Sequence, residues 1–309
     1  MKQMLEMATI ADEAGLDILG VGEHHGLKFV NSATAATIAA MAAITKNIRL
    51  TSATTLLSTA DPVRTFQEFA TADLVSGGRV ELIFGRGAFT DNFPLFGFDT
   101  KDYDALFIEK LGLFAELNSK ERVTWKGKFR PELIDAEIAP RPAHSKLPVW
   151  IGAGSLNSVA RAAMVGYPVA IPVLGGTLPN YAQTAALYRQ VWQQRGNDEK
   201  EMKLAIFSHL HVTENYQQTR EDFYPYYSAY LHPLFKGPMP KEQYHSMLSP
   251  EGSLFGGSAQ EIIDKILFLK EMGATRYVGQ IDIGGQSFAD VIKGIELFAS
   301  KVAPVIRKG

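Results

Sequence analysis

The chain opens on apolar residues at helical spacing. Met4, Leu5, Ala8, Ala11 and Leu16 recur along one face of a helix, and the following turn holds Gly15, a residue able to take the left-handed conformation that stops a helix. Next comes an apolar run, Ile18 to Gly22, ending in Glu23-His24-His25. An Ala-rich helical stretch, Ala33 to Ala43, leads to a second strand-like run, Ile48 to Leu57. Asp61-Pro62 predicts a further helix start, because Asp caps the free amides and Pro presets the first turn. That helix runs through Ala72 and leads to a third run, Arg79 to Phe84, which closes in Gly85-Arg86-Gly87.

The three runs end near residues 25, 56 and 86. A strand-plus-helix interval of about thirty residues matches parallel βαβ units, and uninterrupted apolar runs suit parallel strands covered on both faces. Further strands are expected over Pro148 to Ala153, Val169 to Leu174, Lys203 to Val212 and Tyr277 to Ile283, with a closing helix from Phe288 to Lys301. This α/β series of seven strands fits a barrel one strand short or an open doubly wound sheet. Two stretches are too long for simple loops. Phe89 to Lys146 carries its own helix (Asp104 to Leu117) and a hairpin around Val123 to Arg130, while Glu214 to Gly257, rich in Tyr and Pro, predicts a mobile lid. One domain over residues 1–309, with insertions at about 89–146 and 214–257, is the expected organisation.

Composition narrows the function classes. A net charge of −2 removes the basic footprint of a nucleic-acid binder. With no cysteine, disulfides, thiolate metal sites and thiol nucleophiles are excluded. No uncharged apolar stretch reaches the roughly 18 residues of a membrane span, and Glu6, Asp12 and Glu13 interrupt any signal-peptide core. A cytoplasmic protein with small-molecule or protein partners is expected.

Several clusters could carry chemistry. Glu23-His24-His25 follows a strand, where barrel enzymes keep their reactive side chains. Alternation along a strand sends one histidine into a pocket and the other into packing, and two hydrogen-bonded loop histidines remain the alternative. Gly85-Arg86-Gly87 offers a guanidinium between flexible residues. Gly152-Ala153-Gly154-Ser155, with Ser158, passes from strand into helix and presents amides and two hydroxyls to a phosphate, or serves only as a helix cap. Gly284-Gly285 is a rival anion site better read as a tight turn. His209 and His211 share one strand face and could ligate the metal of a hydrolase, although no carboxylate cluster accompanies them and two satisfied histidines fit better.

In this order the segments Ala11-Asp12-Glu13-Ala14-Gly15-Leu16-Asp17, Gly22-Glu23-His24-His25, Leu50-Thr51-Ser52-Ala53-Thr54, Asp61-Pro62-Val63-Arg64, Ser76-Gly77-Gly78-Arg79, Gly85-Arg86-Gly87, Phe93-Pro94-Leu95-Phe96-Gly97, Pro148-Val149-Trp150-Ile151-Gly152 and Val302-Ala303-Pro304 resemble the bacterial luciferase-like flavin monooxygenase family. The resemblance implies a (β/α)8 barrel of TIM type that binds reduced FMN or, in some branches, a deazaflavin. It also implies that His24 falls on the family's catalytic histidine and Ala53-Thr54 on a segment with a non-prolyl cis peptide behind the flavin ring. Arg86, Ser155 and Ser158 fall on phosphate-binding positions, Gly85 near the ring and Gly154 in the phosphate turn. The stretch from Glu214 to Gly257 matches a variable loop that would shield the flavin and set substrate choice. Members begin with a strand where this chain has Met1-Lys2-Gln3, so the first strand is expected to be absent from it. They also include luciferases with a cysteine where this chain has Gly85, so light emission is not implied.

The resulting expectation is an FMN-dependent monooxygenase acting with dioxygen on a small organic substrate, a homodimer fed by a separate flavin reductase. The alternatives are a deazaflavin-dependent hydride-transfer enzyme on the same fold and a flavin-binding protein without turnover.

Overall fold

A computed structural model describes residues 1–87, 90–235 and 237–308. The chain divides into two compact units, Met1–Gly152 and Ala153–Gly309. The expected insertion boundary at Phe89 lies outside the described residues.

In the first unit, α1 (Lys2–Glu13) buries Ala8 and Ala11 and stops at Gly15, whose φ of +71° is the left-handed turn predicted there. There follow β1 (Ile18–Val21), α2 (Thr34–Ile44), β2 (Arg49–Ser52), β3 (Thr55–Leu56), α3 (Pro62–Ser76) and β4 (Val80–Gly85). Then come α4 (Asn92–Leu95), α5 (Tyr103–Ser119), the antiparallel pair β5 (Arg122–Trp125) and β6 (Leu133–Glu137), and β7 (Val149–Gly152). Strands β1, β2, β4 and β7 lie parallel in that order, and β3 pairs with the C-terminal end of β4. Every position of β4 is buried, as its apolar run requires; its one charge, Glu81, meets Arg49 at 3.5 Å. At the start of α3, Asp61 Oδ1 accepts from the Arg64 amide at 3.0 Å with Pro62 in the first turn. The run Ile48 to Leu57 forms two strands rather than one. It breaks at Ala53-Thr54, whose peptide bond is cis.

The second unit holds α6 (Leu156–Met164), β8 (Val169–Val173), α7 (Leu178–Gln194), β9 (Leu204–Val212), α8 (Tyr216–Glu221), α9 (Tyr224–Phe235), α10 (Lys241–Leu248), β10 (Phe255–Gly257), α11 (Ala259–Glu271), β11 (Arg276–Gln280), α12 (Phe288–Leu297) and α13 (Ala303–Lys308). Strand β9 is its axis. On one edge it pairs in parallel with β8; along the other it pairs first with β11 and then, from Leu210 onward, with β10.

Two expectations are corrected here. The stretch expected as a lid loop contains three helices, α8 to α10, around a buried cluster that includes Phe223, Tyr227, Met239, Tyr244 and Leu254. Tyr227 and Tyr244 bury their rings with their hydroxyls partnered: Tyr244 donates to Thr219 O at 2.5 Å and Tyr227 pairs with His209 Nδ1 at 2.9 Å, while the half-buried Tyr224 donates to Met239 O at 2.6 Å. Second, the seven expected strands omit β10. Its two glycines disfavour a strand, but a methyl on Gly256 would run into Leu248 and Thr219. The closing helix is also interrupted, by a π turn over Phe298–Val302 between α12 and α13. No described helix is long and apolar enough to cross a membrane.

Candidate functional site

His24 and His25 lie just beyond β1, so strand alternation does not separate them. Their partners do. His25 Nε2 pairs with Glu23 Oε1 at 3.0 Å, with a tenth or less of either side chain exposed, while Glu23 Oε2 accepts from the Leu56 amide at 3.1 Å. Glu23 thus ties the histidine to β3. Burial pushes its carboxyl above the ordinary range, and the Leu56 amide and His25 oppose that shift.

The His24 ring lies flat on Phe29, with centroids 4.0 Å apart and planes at 19°. Burial pushes this imidazole below its ordinary value; Asp91 opposes the shift and His25 adds to it. The shift favours the neutral imidazole. The loop carrying it is held by Asn31, a residue nothing in the sequence singles out. The Asn31 amide donates to Gly22 O at 2.6 Å, its Oδ1 accepts from Thr37 at 2.7 Å, and its backbone carbonyl accepts from the His24 amide at 3.1 Å. An Asn shortly before a helix reads as a cap, which hides this role.

Beside that loop lies the Ala53-Thr54 turn. The Ala53 amide donates to Val21 O at 2.8 Å, which fixes it to the end of β1. A methyl added at Gly22 would approach Ala53 O at 3.4 Å and His24 Nε2 at 3.9 Å, so this glycine lies between turn and imidazole. Thr54 fills the space that two further glycines leave open: a methyl at Gly85 would collide with its hydroxyl, and one at Gly152 would come within 3.3 Å of its Cγ2. His24, Ala53, Thr54 and Gly85 are thereby brought together at one end of the parallel strands.

Arg86 follows Gly85 and is drawn to the start of α5. Its guanidinium meets Asp104 Oδ1 at 2.5 Å and lies 5.3 Å from the centroid of the Tyr103 ring, while the Tyr103 hydroxyl donates to Gly87 O at 2.7 Å. Asp104 offsets part of the positive charge that an anion would meet.

In the second unit, Ser155 caps α6: its Oγ accepts from the Ser158 amide at 3.3 Å and shares a hydrogen bond with Ser158 Oγ at 2.7 Å. Residues Gly154 to Asn157 are exposed and Ser158 is buried. Two hydroxyls and the first amides of a helix suit a phosphate dianion. Gly154 is less constrained than Gly85, since a methyl there would only touch Pro172 at 3.5 Å.

The rival sites resolve differently. Gly284 and Gly285 have φ of +72° and +78°, and a methyl on the first would strike the Tyr226 carbonyl, so this pair serves a turn pressed against backbone. His209 is held by Tyr227, and His211 stacks on Phe223 at 4.0 Å and 4°. Burial pushes both imidazoles down to about 4. Among the described residues no group of three His, Asp or Glu could hold a metal ion.

Comparison with known proteins places these features in context. The model of the luciferase-like monooxygenase family matches residues 1–276. The oxygenase component of a flavin-dependent trigonelline monooxygenase from Acinetobacter baylyi is 24% identical over 98% of this chain and 89% of its own. Among solved structures, the oxygenating constituent of 3,6-diketocamphane monooxygenase from Pseudomonas putida, in complex with FMN, superposes with a TM-score of 0.79 at 18% identity, covering 98% of this chain and 93% of its own. An F420-dependent secondary alcohol dehydrogenase superposes with a TM-score of 0.78 at 23% identity, covering 99% and 96%. At these identities the structural likeness carries the fold.

Proposed function

The chain belongs to the luciferase-like monooxygenase family, and on that premise we propose that it is an FMN-dependent monooxygenase, using reduced FMN and dioxygen on a small organic substrate. The observation that carries this reading is the cluster in which Gly85 and Gly152 leave room for Thr54, and Gly22 brings Ala53 beside the His24 imidazole. When bound, reduced FMN supplies the electrons that activate dioxygen. A planar ring would lie against the Ala53-Thr54 turn, which Gly22 brings beside His24. In the second unit Ser155, Ser158 and the first amides of α6 would hold the phosphate, with Gly154 in the turn before them; in the first unit Arg86 would add charge that Asp104 moderates. His24, whose neutral form burial favours, would accept a proton at a ring nitrogen and return it. Glu23 and Asn31 hold the segment that carries it.

The Acinetobacter relative is named an oxygenase component, which supports electron supply by a separate flavin reductase. A cytoplasmic homodimer completes the reading. A second reading, hydride transfer with a reduced deazaflavin, is favoured by the likeness to the F420-dependent alcohol dehydrogenase. Anaerobic titration of the protein with reduced FMN and, separately, with a reduced deazaflavin distinguishes them. Saturable binding of reduced FMN with faster oxygen uptake in the presence of substrate is expected. A clear preference for the deazaflavin overturns the first reading in favour of the second; flavin bound without any substrate-dependent oxidation indicates a binding protein, and binding of neither removes both enzyme readings.

A further inference from the structure

Two consecutive residues at the start of α5 hold Arg86, and they act on its charge in different ways. The Arg86 Nη1 donates to Asp104 Oδ1 at 2.5 Å, and the guanidinium carbon lies 5.3 Å from the centre of the Tyr103 ring. The Tyr103 hydroxyl also donates to Gly87 O at 2.7 Å, where the chain turns at a φ of +92° directly after the arginine. Tyr103 thus fixes the turn and supports the guanidinium without cancelling its charge. Asp104 does cancel it. Arginine takes carboxylate and phosphate oxygens through the same N–H groups, so the Asp104 carboxylate sits where an oxygen of a bound anion would sit. The pair is unequal in exposure: the Arg86 side chain is 19% exposed and that of Asp104 is 55% exposed. The cation is the fixed partner, and the carboxylate is the one that can turn into water.

We propose that Asp104 competes with the phosphate of the flavin for Arg86, and so sets the affinity low enough for FMN to exchange. This rests on reading Arg86 as a phosphate-binding residue of a flavin site. A phosphate that engages this guanidinium either displaces the carboxylate or lies beside it. Displacement gives up a charge-assisted hydrogen bond, and coexistence places like charges on one cation. Both lower affinity for the anion. The cost stays moderate because the half-exposed carboxylate is hydrated when released, and Tyr103 keeps the guanidinium in place when Asp104 lets go. Such a site suits a flavin that arrives reduced from a separate reductase and leaves oxidised, as a passing co-substrate.

The test is an anaerobic titration of reduced FMN, and of reduced riboflavin, which lacks the phosphate, into the parent, Asp104→Asn, Arg86→Ala and the double variant. Asparagine keeps the shape of the side chain and removes its charge. Asp104→Asn is expected to bind reduced FMN about five- to tenfold more tightly, with a gain that shrinks at high salt. Its riboflavin affinity should equal the parent's. In the Arg86→Ala background the same substitution should change nothing, since the competition needs the guanidinium. An unchanged melting temperature checks the fold, and Asp104→Ser, with the same expected sign, replaces Asp104→Asn if that variant does not fold. Unchanged FMN affinity overturns the inference. So does weaker FMN binding, which makes Asp104 a residue that positions Arg86 for the anion, and so does an equal gain for riboflavin. In these cases FMN binding by the parent leaves the flavin reading standing. FMN bound by Asp104→Asn and not by the parent supports the competition. Binding of neither flavin by any of the proteins defeats the flavin reading and this inference with it.

Discussion

Gly85 and Thr54 are matched to within a methyl group. Gly85→Ala drives its new Cβ into the Thr54 hydroxyl, and overpacking of this kind costs about 1–3 kcal/mol. A lower melting temperature and weaker binding of reduced FMN are expected. Adding Thr54→Ala removes the struck oxygen and should restore part of the stability, which a double-mutant cycle measures as coupling. At His24 the expectation separates binding from turnover: His24→Ala slows turnover by about 100-fold or more while leaving flavin affinity largely unchanged. Equal turnover in parent and variant would remove the proton-transfer role. His24 was legible because it ends an apolar run in a recognisable pattern. Asn31 and the Glu23 bridge to Leu56 were not, since their meaning lies in partners up to 33 residues away.

Between α10 and β10 the chain is pinned by one buried lysine. Lys265 on α11 donates to Leu254 O at 2.7 Å, Gly252 O at 3.0 Å and Leu248 O at 3.3 Å. Lys265→Met leaves those carbonyls without their donor, and a loss of about 3 kcal/mol is expected in urea unfolding, with faster amide hydrogen exchange in α10 and β10. Acid should loosen the same region. His209 and His211 titrate near 4 when folded, because burial disfavours the charged rings, against 6.5 for an ordinary imidazole. The unfolded chain therefore binds protons first as pH falls. Stability from these groups is complete above pH 6.5 and declines as pH falls toward 4, by about 2–3 kcal/mol per histidine at the acid end. Denaturant unfolding across that range checks the slope, and a His209→Gln, His211→Gln variant should flatten it. The helices of this segment are not legible in the sequence, because its tyrosines and prolines read as loop formers. Burying a tyrosine depends on a carbonyl or imidazole reaching its hydroxyl, and periodicity does not encode such a partner.

For the molecule as a whole, ligand linkage gives the measurable quantity. Reduced FMN at 100 times its dissociation constant is expected to add about 2.7 kcal/mol of stability, seen as a rise in melting temperature under anaerobic conditions. Ser155→Ala with Ser158→Ala should shrink that gain at the same flavin concentration. A melting temperature that reduced FMN leaves unmoved would count against flavin binding altogether. The alternation of helices and parallel strands was readable along the chain, since periodicity, Asp61-Pro62 and the Gly15 stop are local properties of a few neighbouring residues. The sequence by itself therefore determined the α/β order and the strand ends that carry His24, Ala53-Thr54 and Gly85. Only the tertiary structure decided what those ends do to one another: that Thr54 fits against Gly85 and Gly152, that Asp104 meets Arg86, and that a short Phe-Gly-Gly segment completes the edge of β9. The reason is physical. Each of these contacts depends on the shape and charge of residues distant in sequence, and they come within reach only after the strands have paired.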